Sequence, residues 1–309
     1  MKQAILIVFI IISGFGINAQ QAAMFTHYSF NTLAINPAYA GTRDALTITG
    51  LHRAQWVNFE GAPQTQTITA HTPFINEKIG IGLSFLHDNI GPTNTSAFYI
   101  DFSYKIKINE RAKLAFGLKG GLNYRLTDLN GLTIKEANDP VFQSDLVSKL
   151  LPNFGFGLYY FTDKYYIGLS IPQLLENNFE DNSVSGTTDL ASEKKHYFLI
   201  GGAVFNLGED FKIKPTTFIK VTNAAPIEAD LTALFYFRDK IWFGPMFRTG
   251  DAFGALVGLF ITDQLAVGYS FDWSMVNTTA KYNAGSHEIM IRYDFLLKQN
   301  KKIRSPRYF

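Results

Sequence analysis

The chain has 309 residues, a formal net charge of +2 and no cysteine. The absence of cysteine excludes disulfides, thiol catalysis and thiolate metal sites, and the near-neutral charge gives no reason to expect binding to nucleic acid. Charged residues make up 17% of the chain and aromatic residues 15%, so the composition contains less charge than an average globular domain. This balance favours an exported β-protein, including one that lies in a membrane.

Residues 1–19 have the layout of a secretory signal peptide. Lys2 supplies the positive charge, an apolar run follows from Ala4 to Ile12, and Ala19 offers a small residue at the expected cleavage site. The apolar run is too short to span a bilayer. No later stretch contains 18 consecutive apolar residues, so the sequence predicts no transmembrane helix after the leader.

Residues 20–44 precede the first predicted strand and contain the stretch INPAYAG. The aromatic residues ahead of this stretch suit a short buried helix, which the proline would end because it disfavours the helical conformation of the residue before it. Leaving so many large apolar side chains in water would be costly. If the strands that follow form a barrel, as their alternation described below indicates, we expect residues 20–44 to be a plug or latch segment in its lumen. A loose periplasmic leader is the alternative. The residues expected to form and anchor its turn are Asn36, Pro37, Tyr39 and Gly41.

Most of the mature chain alternates with a period of two. In one run the apolar phase contains Phe98, Ile100 and Phe102, whereas the other phase contains Asp101 and Ser103. Successive strand residues point to opposite faces, so each run has one apolar face. A soluble sandwich would bury that face, but the runs are too many for one sandwich. The lumen-side residues Asp101, Lys119 and Arg125 would also be awkward in a barrel of soluble type with a dry core. A membrane barrel turns the pattern inside out, with apolar residues facing lipid.

The links between the predicted strands support a membrane barrel. Short links alternate with longer ones, as expected for short periplasmic turns and longer outer loops, and a sheet in lipid must close because its edges cannot face hydrocarbon. We therefore predict an all-β fold, a transmembrane antiparallel β-barrel of about 14 strands at residues 45–296, followed by a basic periplasmic tail at 297–309. The predicted strands are 45–52, 64–72, 78–87, 95–108, 111–126, 152–161, 164–171, 194–206, 210–222, 228–238, 240–249, 252–262, 264–274 and 285–296.

Aromatic residues near the predicted strand ends are candidates for the girdles that membrane barrels place at the two interfaces. The candidates are Tyr124, Tyr159, Tyr160, Tyr165, Tyr166, Trp242 and Trp273.

The sequence carries no recognisable catalytic or metal-binding pattern. Its six histidines have no histidine partner at metal-ligand spacing, and it contains no Gly-x-Ser-x-Gly elbow. Gly-x-Gly repeats such as Gly80 and Gly82 lie inside strands with no helix after them, so we expect them to relieve crowding in the lumen and let strands curve. We expect no catalytic residue, no metal site and no cofactor. An outer-membrane hydrolase, built where Asp, His and Ser converge at one barrel end, is the enzymatic alternative.

Several motifs resemble those of the PorP/SprF family, in order along essentially the whole mature chain. The resemblance implies an outer-membrane protein of the type IX secretion system of Bacteroidetes, linked to the secretion of cell-surface adhesins and to gliding motility. It implies a secreted adhesin-type substrate and other secretion components as partners, besides outer-membrane lipid. The motifs are NTLAINPAYAGTRD (31–44), RAQWVNFEGAPQTQTITAHTP (53–73), NFGFGLYY (153–160), YYIGLSIPQLL (165–175), GSHEIMIRYDF (285–295) and SPRYF (305–309).

Partner contacts are expected on the outer loops, because rigid scaffolds carry function on their loops and long loops are uncommon unless used. These loops are 127–151, 172–193 and the apolar-rich link at 55–64; sealing the barrel mouth is their alternative role. A transporter or channel for hydrophobic or small molecules is the alternative function, since the same barrel can host it. The candidate contact residues are Gln55, Trp56, Phe59, Gly61 and Pro63, and the residues expected to close the barrel are Gly285, Ser286, His287 and Glu288.

Overall fold

The computed structural model describes residues 23–74, 77–128, 147–177, 193–223, 225–275 and 283–295. The predicted signal peptide (1–19) and basic tail (297–309) lie outside these ranges, as does most of the two long loops. None of the helices in the described part of the chain has the length and apolar character needed to span a bilayer.

The strands form one antiparallel sheet that closes on itself, because β15 pairs with β1. The 15 strands occupy 14 positions around the wall, since β8 and the two-residue β9 both pair with β10. The predicted all-β antiparallel barrel of about 14 strands is therefore confirmed. The strands are β1 (Leu46–Ala54), β2 (Gln64–Phe74), β3 (Ile79–Ile90), β4 (Thr93–Lys107), β5 (Ala112–Thr127), β6 (Val147–Thr162), β7 (Tyr165–Ile171), β8 (His196–Ala203), β9 (Phe205–Asn206), β10 (Phe211–Thr222), β11 (Glu228–Phe237), β12 (Ile241–Arg248), β13 (Ala252–Phe260), β14 (Leu265–Ser274) and β15 (Ser286–Phe295).

The largest boundary difference concerns β6, which begins at Val147 rather than at the predicted residue 152. The sequence pattern favours a start at Pro152 because proline cannot donate to a strand ladder. In the structure, pairing between β6 and β7 stops at Phe156 and Ile171, so among the described strands the outer part of β6 pairs with β5, and Leu174 beyond β7 adds one bond to Phe154. Pro152 therefore lies on an edge, where a missing donor is tolerated.

The eighth strand is broken between β8 and β9. Val204 is not paired with β10, but it stays in register on the β7 side and donates its N–H to the carbonyl of Lys164 at 2.7 Å. The break lies opposite Lys214 and beside Pro215 of β10, and proline has no N–H to offer a neighbouring strand. The local loss of pairing follows from this proline.

The two faces of the wall follow the alternation in the sequence. Ile100 and Phe102 expose 54% and 44% of their surface to the outside, whereas Asp101 and Ser103 are completely buried on the lumen side. Apolar residues outside and polar or small residues inside are the arrangement of a transmembrane barrel.

The aromatic residues divide between the two faces. Tyr165 and Trp273 are about half exposed on the outside, but Tyr159, Tyr166 and Trp242 are buried inside the barrel. The prediction that these three belong to an interfacial girdle is wrong. Neighbouring strand residues face opposite sides, and the inward-facing rings pack against a segment that fills the lumen.

That segment comprises residues 23–45, which we call the N-terminal segment. Almost all of its side chains are buried. It contains a turn, the one-turn helix α1 (Thr32–Ile35) and a 3₁₀ turn (Pro37–Tyr39). Its side chains join two apolar clusters with inward-facing residues of the wall. The lumen of this barrel is a packed interior over the depth that the segment covers.

Candidate functional site in the barrel lumen

A row of small residues crosses five adjacent strands on the lumen side. Each member pairs directly with the next, so the row is continuous from β7 to β3. All members face inward and are buried. We call this row the small-residue track; its members are Ser170, Gly157, Gly117, Ser103 and Gly80.

The INPAYAG stretch lies along this track in backbone contact with it. A Cβ atom added at Gly117 would lie 2.1 Å from the nitrogen of Ala38, and one added at Gly157 would lie 2.1 Å from Oδ1 of Asn36. The position of Gly80 is equally tight. Such distances leave no room for a side chain. Gly80 and Gly157, which belong to the Gly-x-Gly repeats, and Gly117 thus make space for the chain inside the barrel.

The serines of the track hold the backbone of the motif at its two ends. Ser170 donates its hydroxyl to the carbonyl of Ile35 at 2.6 Å, and Ser103 donates to the carbonyl of Ala40 at 2.6 Å. Buried carbonyls need such partners. The track therefore supplies both the space and the hydrogen bonds that fix this stretch.

Asn36 fastens the centre of the motif. Its Oδ1 accepts the N–H of Ala38 at 2.9 Å and caps the 3₁₀ turn that starts at Pro37. Its Nδ2 donates to the carbonyls of Leu158 and Leu169 at 3.0 and 3.3 Å. One amide side chain thus links the turn to β6 and β7.

Tyr39 and Gly41 lead the segment toward β1. The ring of Tyr39 contacts Tyr159 and His71 edge-on, with centroids 5.5 and 5.2 Å apart. Gly41 has a φ of +65°, which favours glycine. Its N–H donates to Nδ1 of His71 at 3.1 Å, and its carbonyl accepts from the ammonium of Lys105.

The middle of the segment is held by aromatic packing. Phe30 stacks on Trp242 with centroids 5.1 Å apart, and the Lys214 ammonium lies 5.5 Å from the Phe30 ring. The Tyr28 hydroxyl lies 2.8 Å from the hydroxyl of Thr216. The buried phenol therefore has a hydrogen-bond partner on the wall, as buried polar groups require.

A set of charged and polar groups fastens the other end of the segment. Glu288 accepts the backbone N–H groups of Thr26 and His27 at 2.8 and 2.6 Å, and its Oε1 lies 2.7 Å from Nδ1 of His27. Thr26 donates its hydroxyl to Asp272 at 2.7 Å. Arg53 pairs with Asp272 at 2.7 Å and with Glu288 at 3.3 Å. We call these five residues the latch.

Further buried charges continue from the latch along the lumen wall. Arg248 pairs with Asp230 at 2.8 Å and lies 3.7 Å from both Glu228 and Asp272. Lys220 lies 3.6 Å from Glu228. Buried charges persist when they are paired, so the latch belongs to a larger network of paired charges.

The closing strand β15 holds the segment near both of its ends. Glu288 lies near the start of this strand and forms the latch contacts. Asp294, near its end, accepts from Arg43 through two nitrogens at 2.8 and 3.3 Å and from the Thr47 hydroxyl at 2.7 Å. The strand that closes the barrel is thereby coupled to the chain that fills it.

The QW stretch of the β1–β2 loop docks on the GS stretch that begins β15. The N–H of Val57 donates to the carbonyl of Gly285 at 2.9 Å, and that of Trp56 donates to the Ser286 hydroxyl at 3.3 Å. The indole N–H of Trp56 donates to Ser274 at 3.2 Å. Two motifs that are far apart in sequence form one contact at the barrel rim.

The remaining loop residues shape the rim. Gln55 donates its N–H to the carbonyl of Pro63, and Gly61 accepts from Gly91 of the next loop, both at 2.9 Å. A cavity of about 420 Å³ lies in this loop. Phe59 lines the cavity and exposes 42% of its surface. The structure places the five predicted contact residues together in one loop.

The four predicted closure residues fall into different environments. Gly285 and Ser286 hold the β1–β2 loop, and Glu288 belongs to the latch. His287 faces outward, where its Nδ1 lies 2.7 Å from the hydroxyl of Tyr269. Within the described ranges, no group of three or more His, Cys, Asp or Glu side chains is placed to hold a metal ion.

Sequence reasoning missed most of the latch. Arg53, Asp272 and Thr26 received no role, although charged residues in the inward phase of membrane-barrel strands are a usable signal. Ser103 and Ser170 were missed as well, because a serine in the lumen phase is ordinary. Their roles depend on which strands lie side by side, which no local motif states.

The closed antiparallel barrel, with an apolar outer band and a polar, occupied lumen, defines an outer-membrane β-barrel protein. A family model described as "Type IX secretion system membrane protein PorP/SprF" matches residues 17–293. The chain therefore belongs to the PorP/SprF family and is a protein of the outer membrane.

Comparison with other proteins adds similarity to several solved barrels, and no curated protein matches the chain. The CymD monoaromatic hydrocarbon channel is 10% identical, with 91% of this chain and 96% of that chain covered and a TM-score of 0.49. The toluene transporter TbuX of Ralstonia pickettii is 8% identical, with 91% and 96% covered and a TM-score of 0.48. A Pseudomonas aeruginosa FadL homologue is 13% identical, with 87% and 94% covered and a TM-score of 0.46. Nothing about function is transferred from likenesses of this size.

Proposed function

We propose that this protein is a partner-binding component of the type IX secretion system. In this proposal it supports the secretion or surface attachment of adhesins, and gliding motility, through contacts with a secreted adhesin-type substrate and with other secretion proteins. It catalyses no reaction and carries no solute through its own lumen. Membership of the family supports the assignment to the type IX secretion system. The filled lumen is the observation that supports a partner-binding role rather than a channel.

The way the lumen is filled supports a closed barrel. The N-terminal segment is fixed by the small-residue track through its backbone and by the latch through charged groups. A loosely inserted loop would lack such contacts at both ends. The alternative, a channel or transporter for small or hydrophobic molecules, needs a free path through the interior that this segment occupies.

The outer rim is the surface we assign to partners. Trp56 and Asn58 have φ values of 45° and 72°, conformations that non-glycine residues rarely adopt. Strained backbone of this kind persists where the surroundings enforce it, often at functional sites. Here the enforcing contact is the docking on Gly285 and Ser286. The loop thus presents the exposed Phe59 ring on a fixed support.

Alanine substitution at the rim tests the partner surface. We expect Phe59→Ala to lower surface display of the adhesin, because truncating an aromatic anchor of an interface costs about 1–2 kcal/mol or more of binding free energy. The matched control is Leu207→Ala, which removes a similarly exposed apolar side chain (52%) from a turn at the opposite barrel end. Folded-barrel content, measured by heat-modifiable migration, must be the same for both variants. Equal display by both would remove Phe59 from the partner surface.

Conductance in planar bilayers separates the two functions. We expect the intact protein to show little ion conductance, and a variant without residues 24–41 to conduct more while keeping its β circular dichroism. High conductance of the intact protein, or transport of small solutes into liposomes, would favour the channel. Normal adhesin display by a strain that lacks the protein would contradict the secretion role itself.

A further inference from the structure

The N-terminal segment runs the length of the lumen. At its root Gly41 contacts Lys105, which lies two residues before the end of β4. At its start the Met24 sulfur lies 2.9 Å from Nζ of Lys220, two residues before the end of β10. Strands β4 and β10 run in opposite directions, because an odd number of antiparallel pairings, through β5, β6, β7 and β8, separates them. The two ends of the segment therefore lie at opposite ends of the barrel.

The link lengths identify which barrel end is which. The turns that follow β4, β6, β11 and β13 span four residues or fewer. The connections at the other end include those of 19 residues after β5 and 24 residues after β7. In outer-membrane barrels the short turns face the periplasm and the long loops face outward. Lys105 lies at the short-turn end, and Lys220 lies at the long-loop end.

The latch gives a second, independent measure of the same polarity. Arg53 is the penultimate residue of β1, Asp272 is the third residue from the end of β14, and Glu288 is the third residue of β15. All three positions lie at the long-loop end. Their side chains bind Thr26 and His27 there.

Exposure changes where the segment reaches this end. Residues 24–33 are buried without a break, whereas Ala23 is partly exposed. The indole N–H of Trp56 donates to Ser274, which lies two residues beyond Asp272 on the same face and therefore on the outer side of the latch. Ala23, the first described residue of the segment, thus lies at the long-loop end, close to the partner rim.

We infer that the N-terminal segment is threaded through the barrel from the periplasmic to the extracellular mouth, so that its Ala23 end faces the cell exterior. This goes beyond the proposed function, which needs a filled lumen and no particular direction. A hairpin that entered and left at the periplasmic mouth would fill the lumen equally well. Threading makes the segment a connection between the two barrel mouths, which a surface partner can reach at its Ala23 end and a periplasmic partner at its Gly41 end.

Single cysteines test the direction, because the native chain contains none. Ala23→Cys, Glu60→Cys in the outer loop and Glu110→Cys in the β4–β5 turn are each treated with a membrane-impermeant maleimide on intact cells. We expect Ala23→Cys to react on intact cells to at least about half the extent of Glu60→Cys, and Glu110→Cys to react after permeabilisation alone. If Ala23→Cys, like Glu110→Cys, reacts only after permeabilisation, the inference is overturned.

A cross-link covers the case in which the thiol at residue 23 is too shielded to react. In purified folded protein, a short bis-maleimide should join the pair Met24→Cys and Lys220→Cys and leave the pair Met24→Cys and Lys105→Cys open. The joined loop changes the migration of the denatured chain on a gel. A link to residue 105, or no link to residue 220 in a folded barrel, contradicts threading.

Discussion

The small-residue track and the latch fasten the same segment by opposite means. At the track, glycines let the backbone of the INPAYAG stretch approach the wall so closely that a Cβ atom at Gly117 would lie 2.1 Å from it. At the latch, long charged side chains such as Arg53 and Glu288 reach across to residues 26 and 27. The track thus acts by shape and the latch by charge.

The difference teaches how each end responds to change. A close backbone contact fails when volume is added, because neighbouring main chain cannot move aside cheaply. A buried ion network fails when one charge is removed, because its partners are left uncompensated. The track should therefore be sensitive to added methyl groups, and the latch to neutralisation without any change in size.

Neutralising Glu288 is the largest single change we expect. In Glu288→Gln the side-chain oxygen can accept one backbone N–H, but the NH₂ of the glutamine faces the other N–H of residues 26 and 27. Arg53 is left with Asp272 as its carboxylate partner in the latch. Breaking a buried ionic contact in this way costs about 3–5 kcal/mol. The measurement is the temperature at which the folded form disappears in a heat-modifiability gel.

Glu60→Gln is the control for that change, because it makes the same chemical substitution on an exposed loop side chain. Substitutions at such positions usually stay within about 0.5 kcal/mol. If both variants melt together, the latch contributes nothing to holding the segment. A limited protease added from outside should also cut Glu288→Gln near residue 23 while the INPAYAG stretch stays protected.

The track is tested by adding one methyl group. We expect Gly117→Ala to destabilise the barrel by about 1–3 kcal/mol, a typical cost of overpacking, and to raise its conductance as the segment shifts. Gly120→Ala on the same strand is the matched control, since a Cβ there meets nothing nearer than 3.6 Å. Equal melting temperatures would show that the INPAYAG stretch does not rest on Gly117 in the membrane.

Substitutions at Asn36 distinguish its cap on the 3₁₀ turn from its two hydrogen bonds to the barrel wall. Asn36→Ala loses the cap on Ala38 and both bonds to the wall, which together should cost about 1–2 kcal/mol. Asn36→Asp keeps the acceptor for the cap, but among the described residues it places a buried carboxylate without a cation partner against the two carbonyl oxygens of Leu158 and Leu169. We expect the native protein to melt highest, the alanine variant next and the aspartate variant lowest at neutral pH. An aspartate variant as stable as the native protein would mean that the two donated bonds do not form.

Much of the fold can be predicted from the sequence, because every strand of a membrane barrel alternates outward apolar residues with inward polar or small ones. The two faces of β4 follow from the alternation of Ile100 and Phe102 with Asp101 and Ser103. The short turns at Asp239 and Asp263 can be predicted from local residues alone. The exceptions arise where neighbouring strands decide. The start of β6 depends on where β7 stops, which the local pattern around Pro152 does not contain.

The candidate site is harder to predict from the sequence, because it too depends on which strands are neighbours. The INPAYAG stretch stands out locally, but its support consists of Gly157 and Gly117 on strands whose register no single motif specifies. Tyr159 and Tyr160 are chemically alike, yet as neighbours in a strand they face opposite sides of the wall. The latch joins residue 26 to residue 288, and contacts over such a separation emerge when the barrel closes.

The smallest expected effect tests whether the rim supports the latch that lies beneath it. Trp56→Phe keeps an aromatic ring and loses the indole N–H that donates to Ser274 at 3.2 Å. Because one neutral hydrogen bond contributes about 0.5–1.5 kcal/mol, the melting temperature should fall slightly. The sharper readout is reaction of a thiol in the Ala23→Cys background, which should increase on intact cells as the cover over the latch loosens. Phe59→Leu, a change in the same loop at a side chain with no such bond, should leave that reaction rate unaltered. A rate that rises equally in both variants would mean that the loop shields the segment by bulk alone, and the specific contact between Trp56 and Ser274 would have no part in closing the outer end.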